Sequence, residues 1–369
     1  MKDSPLMKFS EVHPSGSLQD GEQFIVAWQS PSNIAFVKYW GKKKGQLPIT
    51  PSLSMTLRQS FTRTSVEASL GGHKRGLLAV NGDPGHPFLL KLNKLYEWLA
   101  EEIPVLGLLS MSVTTNNSFP HSTGIASSAS GLSAFTLCLL DLAGKIINMA
   151  DSANELLHAA SYASRMGSGS ACRSLYGGYT VWGETKLQPG ASDEYAVPVE
   201  TPVHPAMLAL KDAILVISSE PKSLPSTMGH KAMDHHPFLN GRIGQVDQNL
   251  AEVLSALEEN DFDKLATVAE LEALTLHALI MSASPGTLLM KPSTVTAIEM
   301  VRNAREKGLP VFFTLDAGAN VHVLYPAAES AAVEMFIRDE LKPLCENNRV
   351  IYDGCGGGPV KLDSAQILP

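Results

Sequence analysis

Cysteine is scarce in this chain. Four in 369 residues, Cys138, Cys172, Cys345 and Cys355, stand at wide, irregular intervals. That spacing fits neither a zinc knuckle nor a disulfide framework, and it implies a reducing compartment. Basic charge is short too: 29 Lys and Arg against 37 Asp and Glu, a formal net charge of -8. This balance argues against a general nucleic-acid binder, which needs a basic surface. It leaves room for an anionic small molecule, because a few cations in one cleft override the global sign. Internal repeats and low-complexity blocks are missing. Met1 to Gln23 lacks the apolar h-region of a signal peptide. The longest apolar helical run, Gly131 to Leu140, meets Asp141 and Gly144 too early to span a bilayer. The expectation is a soluble cytoplasmic protein with neither a nucleic-acid nor a membrane partner.

What is present is apolar: 44% of residues are hydrophobic and 18% charged. That suffices for a large core, in two domains or one elaborate one. Residues 1–22 read as a loose arm with Pro14, Gly16 and Gly21. Strand-like runs follow at Phe24–Trp28, Asn33–Trp40, Ser52–Leu57, Thr64–Ser69, Leu77–Val80 before the turn pair Asn81-Gly82, and Leu109–Thr115. A helix opens at Ser127 or Ser128 and stops at Gly144. A second opens on the capping box Ser152 with Glu155. Strands resume at Gly177–Trp182 and Ala213–Ser218. Gln245–Met281 is helical with a break near Asp261, Ser293–Lys307 is an amphipathic helix, and Glu329–Leu341 is another helix. Val311–Leu315 and Val321–Leu324 pair as strands, and Val350–Tyr352 is the last. Strands with helices on one side make this an α+β protein, with a boundary near residues 190–210.

Three segments carry chemistry. Phe313-Thr314-Leu315-Asp316-Ala317-Gly318-Ala319-Asn320 ends a strand on a lone carboxylate, suited to accepting a proton from an alcohol. Gly167-Ser168-Gly169-Ser170-Ala171-Cys172-Arg173 is a small-residue loop of hydroxyls and N–H groups closed by arginine, suited to phosphate. Phe119 to Gly131 leads into a helix N-terminus. It reads equally as a phosphate cradle or as a Ser-rich cap with no ligand, and it lacks the Gly-Lys-Ser/Thr of a Walker loop. Lys38, inside the apolar run Asn33–Lys42, must either meet an anion or guard an edge strand; alternation places it opposite Val37 and Tyr39. The histidines 230, 235 and 236 have no Cys or Glu at ligand spacing, so no protein cluster for a metal is expected. His277 reads as a packed, hydrogen-bonded core histidine. Lys42-Lys43-Lys44 is mainly a solvated run, and Gly354 to Gly358 reads first as a turn and second as an active-site wall.

In their motifs and order, Asn33–Lys42, Pro120–Gly131, Gly167–Arg173 and Asp316-Ala317-Gly318 resemble the mevalonate diphosphate decarboxylases of the GHMP kinase superfamily. The resemblance spans roughly residues 25 to 360. It implies a two-domain GHMP-kinase-like fold. The arm 1–22 would precede a ribosomal-protein-S5-like N-terminal domain at 23–205 and a ferredoxin-like α/β sandwich at 206–369 with the catalytic Asp. It implies ATP and Mg2+, a small-molecule substrate and a homodimer. Asp316 would contact the substrate 3-hydroxyl, with Lys38 keeping it ionised and Arg173 completing the catalytic set. Tyr39, Trp40, Gly41, Lys42, Arg75, Ser168, Gly169, Ser170, Ala171, Cys172, Arg173 and Thr227 would hold substrate. Pro120, Ser122, Gly124, Ala126, Ser127 and Ser128 would hold ATP, with Mg2+ on the phosphates and on Ser128. The chain departs from the family pattern at Ser118, at His121-Ser122-Thr123 and at Thr50-Pro51. Other readings are a relative acting on the monophosphate, a kinase that stops at the 3-phosphate, and a non-catalytic nucleotide- or anion-binding regulator.

Overall fold

The computed structural model describes residues 4–10, 20–71, 76–119, 127–149, 152–220 and 226–363. Two sheets organise it. Seven strands form the first: β1 (Gln23–Val37), β2 (Ser52–Leu70), β3 (Gly76–Val80), β4 (Leu109–Asn117), β5 (Tyr179–Trp182), β6 (Ala196–Pro198) and β11 (Val360–Lys361). Their order is β11-β1-β2-β4-β3, and β5 joins at the other end of β2 with β6 beyond it. The second sheet is antiparallel, ordered β10-β7-β9-β8, from β7 (Lys211–Leu215), β8 (Phe312–Thr314), β9 (Val321–Tyr325) and β10 (Val350–Gly354).

Ten helices accompany them among the described residues. They are α1 (Met7–Ser10), α2 (Leu89–Glu102), α3 (Ser127–Ile146), α4 (Ala153–Gly167), α5 (Pro205–Leu208), α6 (Ser226–Lys231), α7 (Leu239–Glu259), α8 (Phe262–Ser282), α9 (Pro292–Glu306) and α10 (Ser330–Phe336). The α4 start is the expected capping box, Ser152 accepting from the Glu155 N–H while Glu155 reaches back. The break between α7 and α8 is an Asn260 at φ 58, followed by Asp261 accepting from Lys264 N–H at 2.9 Å.

Several expectations change. Two N-terminal strands prove to be one, β1, because a register shift between Pro31 and Asn33 absorbs the proline. Ser52–Leu57 and Thr64–Ser69 likewise merge into β2. Lys38 lies one residue beyond β1, in a stretch where both faces are covered, so strand alternation does not set its direction. Helix α3 runs through Gly144 to Ile146, and the chain turns only at Asn148, φ 53. By length and composition α3 and α8 are each apolar enough to cross a membrane, contrary to the short run expected at Gly131–Leu140. Asp141 does not interrupt α3 because Trp28 Nε1 and Lys361 Nζ donate to its carboxylate at 3.1 and 2.8 Å. The most apolar stretch of α3 is 89% buried inside the protein and that of α8 61%, the pattern of core helices.

One apolar cluster matters for the site. It joins Ile34, Phe36 and Val37 of β1 to Val246, Leu250 and Leu265 of α7 and α8 and to Ile214 and Phe312 of the second sheet. Each such fully buried side chain contributes about 1.5–3 kcal/mol relative to exposure. The end of β1 is thereby pressed against helices of the other half, and that carries Lys38 to the seam between the sheets.

Candidate active site

At this seam Lys38 Nζ donates to Asp316 Oδ1 at 3.1 Å. The lysine is 1% exposed, whereas the Asp316 side chain keeps 28% of its surface open, so the pair faces outward through the carboxylate. Asp316 follows β8 on the short turn to β9, and His277 of α8 meets its backbone carbonyl, Nε2 to O 3.1 Å. His277 is thus a packed, hydrogen-bonded histidine, as expected, and its partner is the backbone of Asp316. Burial pulls the Lys38 pKa below the ordinary lysine value. The Asp316 ion pair and hydrogen bond and Glu272 oppose that shift, and Arg173 adds to it.

Lys38 is held by its backbone as well. Its N–H donates to Glu272 Oε2 at 2.7 Å, and its carbonyl accepts from Arg242 Nη2 at 3.1 Å. Its ammonium also donates to Ala35 O at 2.6 Å. Glu272 accepts both prongs of Arg242 and the Asn249 amide, all within hydrogen-bond distance and out of solvent. None of these three residues is marked by its local sequence.

Arg173 lies in the 3-10 turn Gly169–Leu175, 4% exposed. Its Nε donates to Asn33 Oδ1 at 3.3 Å and its Nη1 to Ser52 Oγ at 2.7 Å. The Asn33 amide returns to Ser174 Oγ at 2.8 Å. The guanidinium is therefore oriented by β1 and β2, with no acid in direct contact among the described residues, and it feels the Asp316 charge. Burial lowers its proton affinity most. Gly169 is required here by contact: a Cβ would lie 2.7 Å from Trp182 Cη2 and 2.8 Å from the Tyr39 hydroxyl. The hydroxyls of Ser168 and Ser170 lie 3.4 Å apart and half-buried at the loop's open side.

After Lys38 the chain turns at Gly41, φ +89, and brings Tyr39, Trp40 and Lys42 around His230 of α6. Lys42 is half-buried, bonded to Gln46 at 2.7 Å, and burial lowers its pKa. Burial raises that of Tyr39.

Three residues expected to hold substrate have side chains buried in apolar clusters. Trp40 belongs to an apolar cluster with Met233, Leu276 and Leu279. Ala171 is sealed in the first sheet's core. Cys172 packs on Trp182 and donates to Gly169 O, its thiol pushed up to about 12 by burial. The Gly354–Gly358 run is a close backbone crossing rather than a free turn: a Cβ on Gly356 would lie 2.5 Å from Leu57 O. Beside it the Asp353 carboxylate accepts the N–H groups of Arg58, Gln59 and Ser60.

Ser127 and Ser128 open α3, half-buried. Arg75 and the loop residues Pro120, Ser122, Gly124 and Ala126 lie outside the described residues. Thr227 falls in α6, and its side chain is likewise outside them. No group of three or more His, Cys, Asp or Glu that could hold a metal occurs among the described residues.

Set against known proteins, residues 30–196 match the profile of the diphosphomevalonate decarboxylase-like N-terminal domain, and residues 213–356 that of the mevalonate 5-diphosphate decarboxylase C-terminal domain. The diphosphomevalonate decarboxylase of Aspergillus fumigatus is 31% identical, the alignment covering 92% of this chain and 85% of that protein. That of Candida albicans is 30% identical over 89% and 96%. The mevalonate diphosphate decarboxylase structure from Enterococcus faecalis superposes with TM-score 0.78 at 27% identity, covering 93% of this chain and all of that one. A solved complex with MVAPP, AMPPCP and magnesium gives TM-score 0.78 at 28% identity over 93% and 100%.

Proposed function

The chain belongs to the diphosphomevalonate decarboxylase family, and we propose that it converts mevalonate 5-diphosphate and ATP to isopentenyl diphosphate, ADP, phosphate and CO2, a step of isoprenoid synthesis by the mevalonate pathway. The observation that carries the mechanism is the Lys38–Asp316 pair, open to solvent only on the carboxylate side. A tertiary hydroxyl placed there donates its hydrogen bond to Asp316. As the hydroxyl oxygen forms its bond to the γ-phosphorus and the bond to ADP breaks, the proton passes to Asp316. Lys38 holds the carboxylate in place and balances its charge.

The new 3-phosphate then leaves with the C–O electron pair, and positive character develops at the tertiary carbon. The bond from the neighbouring carbon to the carboxylate breaks, and its electron pair becomes the alkene as CO2 departs. Arg173, already oriented by Asn33 and Ser52, aligns that carboxylate. The loop Ser168–Ser170 with Tyr39, Lys42 and Thr227 grips the diphosphate. Ser127 and Ser128 offer hydroxyls at a helix start, which suits ATP phosphates and a hard cation. Mg2+, held by the phosphates and Ser128, would neutralise charge on the transferred group. A cytoplasmic location and a homodimer are part of the same proposal; four free, buried cysteines support the first, and gel filtration tests the second.

A substrate panel tests the reading: mevalonate, its 5-phosphate and its 5-diphosphate, with ADP and CO2 both measured. Equal yields of the two from the diphosphate are expected. ADP without CO2 would make the protein a 3-kinase, and CO2 only from the monophosphate would reassign the substrate. Asp316→Asn should bind ligand and lose turnover by about 10²–10⁴-fold.

A further inference from the structure

His230 is 8% exposed, and its ring lies between those of Tyr39 and Trp40, centroids 4.3 and 4.7 Å away. Its Nδ1 accepts the Gly41 N–H at 3.0 Å. A ring nitrogen that accepts a hydrogen bond carries no proton, so the neutral ring holds its hydrogen on Nε2. The turn is built for this contact. Gly41 sits at φ +89, where other residues are strained, and a Cβ would meet Ile49 Cδ1 at 2.8 Å and Met233 at 3.2 Å.

The remaining donor, Nε2–H, has no hydrogen-bond partner among the described residues. A donor fixed in direction and without a partner from the described residues is available to an acceptor from outside the chain. Burial, helped by the positive charges of Lys42 and Arg173, drives its pKa down to about 3. A ring protonated here would only add a third cation at high cost, so the donor stays neutral at any physiological pH. The surroundings therefore select an anionic acceptor. The Tyr39 ring that lies against His230 also meets the anion loop, since a Cβ on Gly169 would lie 2.8 Å from its hydroxyl. His230 thus stands beside the loop that suits the phosphate end of an extended substrate.

We propose that His230 is a further substrate-binding residue, its Nε2–H donating to an oxygen of the 5-diphosphate. This rests on the function proposed above and names a neutral, direction-setting donor beside the two cations. Such a bond is made alike in ground and transition states, so its loss raises KM more than it lowers kcat.

His230→Asn keeps an acceptor for the Gly41 N–H and deletes the far donor, while His230→Gln extends an amide donor toward the Nε2 position. With mevalonate diphosphate varied, His230→Asn should raise KM about ten- to hundredfold, with kcat and the KM for ATP within about threefold. His230→Gln should recover part of that rise. In the unmodified protein labelled with 15N-histidine, adding mevalonate diphosphate without ATP should shift the one Nε2–H signal that both variants lack. An unchanged KM in folded His230→Asn, equal rises for both substrates, or a histidine spectrum indifferent to mevalonate diphosphate would each overturn the assignment. Absence of CO2 from the unmodified protein would instead remove the functional reading beneath it.

Discussion

Glu272 of α8 and Arg242 of α7 meet in a two-pronged ion pair, 2.5 and 2.6 Å, and between them they bind both backbone polar groups of Lys38. The carboxylate is fully buried and the guanidinium 4% exposed. An ion pair so deep contributes little net stability on its own, because desolvating two charges offsets most of their attraction. What it supplies is position. The residue whose side chain faces Asp316 is gripped at its main chain by two helices from the other half of the molecule.

Breaking the clamp on one side should therefore be severe. Glu272→Gln leaves Arg242 buried and unpaired and should cost about 3–5 kcal/mol in denaturant unfolding. Replacing both, as Glu272→Leu with Arg242→Met, removes the stranded charge but abandons the Lys38 N–H and carbonyl. Recovery should be partial, with about 1–3 kcal/mol still missing for each unsatisfied group. A double variant as stable as the unmodified protein would mean that the Lys38 backbone finds other partners.

Lys38 gives an alkaline limb to the activity. Burial lowers its pKa below the usual 10.5, so its ammonium is fully present only below that lowered value and is lost as pH rises through it. A kcat profile should decline on the alkaline side below pH 10.5. In Lys38→Arg, whose guanidinium does not titrate in this range, that limb should vanish even if kcat is lower throughout. An unchanged limb would assign the titration to another group.

Gly169→Ala tests the shape of the anion loop. The added methyl group collides with Trp182, itself fully buried, and with Tyr39, so the loop must move. Overpacking of this kind costs about 1–3 kcal/mol. A fall in thermal stability together with a higher KM for the phosphorylated substrate is expected, while the KM for ATP should hold.

Much of this was legible in the chain. Lys38 stood out because a charge in an apolar run needs an anion, and Asp316 because a lone carboxylate ended a strand at a glycine turn. Their meeting was implied by family resemblance, not by spacing, since 278 positions separate them. Helix α2 went unread because Phe88 provides no side-chain cap, so no start signal precedes its apolar face. Glu272, Arg242 and Asn249 went unread for a different reason. Each looks like an ordinary polar residue on a helix until α7 and α8 pack together and close it off from water. His230 was visible only as one of three clustered histidines. Its tautomer is set by a glycine N–H from 189 positions earlier, a contact no local pattern reveals.

Burial, with Lys42 and Arg173 nearby, makes His230 an acid sensor of stability. Its folded pKa is near 3 and its ordinary value 6.5, so below 6.5 the unfolded chain takes up a proton that the folded chain refuses. The contribution of the neutral ring is complete above 6.5 and is lost progressively as pH falls toward 3. At pH 5 the loss is about 2 kcal/mol. His230→Asn cannot titrate, so its unfolding free energy should fall less between pH 7 and pH 5 than that of the unmodified protein, by about that amount. Lys42 and Arg173, the charges beside the ring, keep their charge throughout this range and do not supply the difference. Parallel pH curves for the two proteins would show that His230 already carries its proton in the folded state, and the Gly41 N–H would then have no acceptor there.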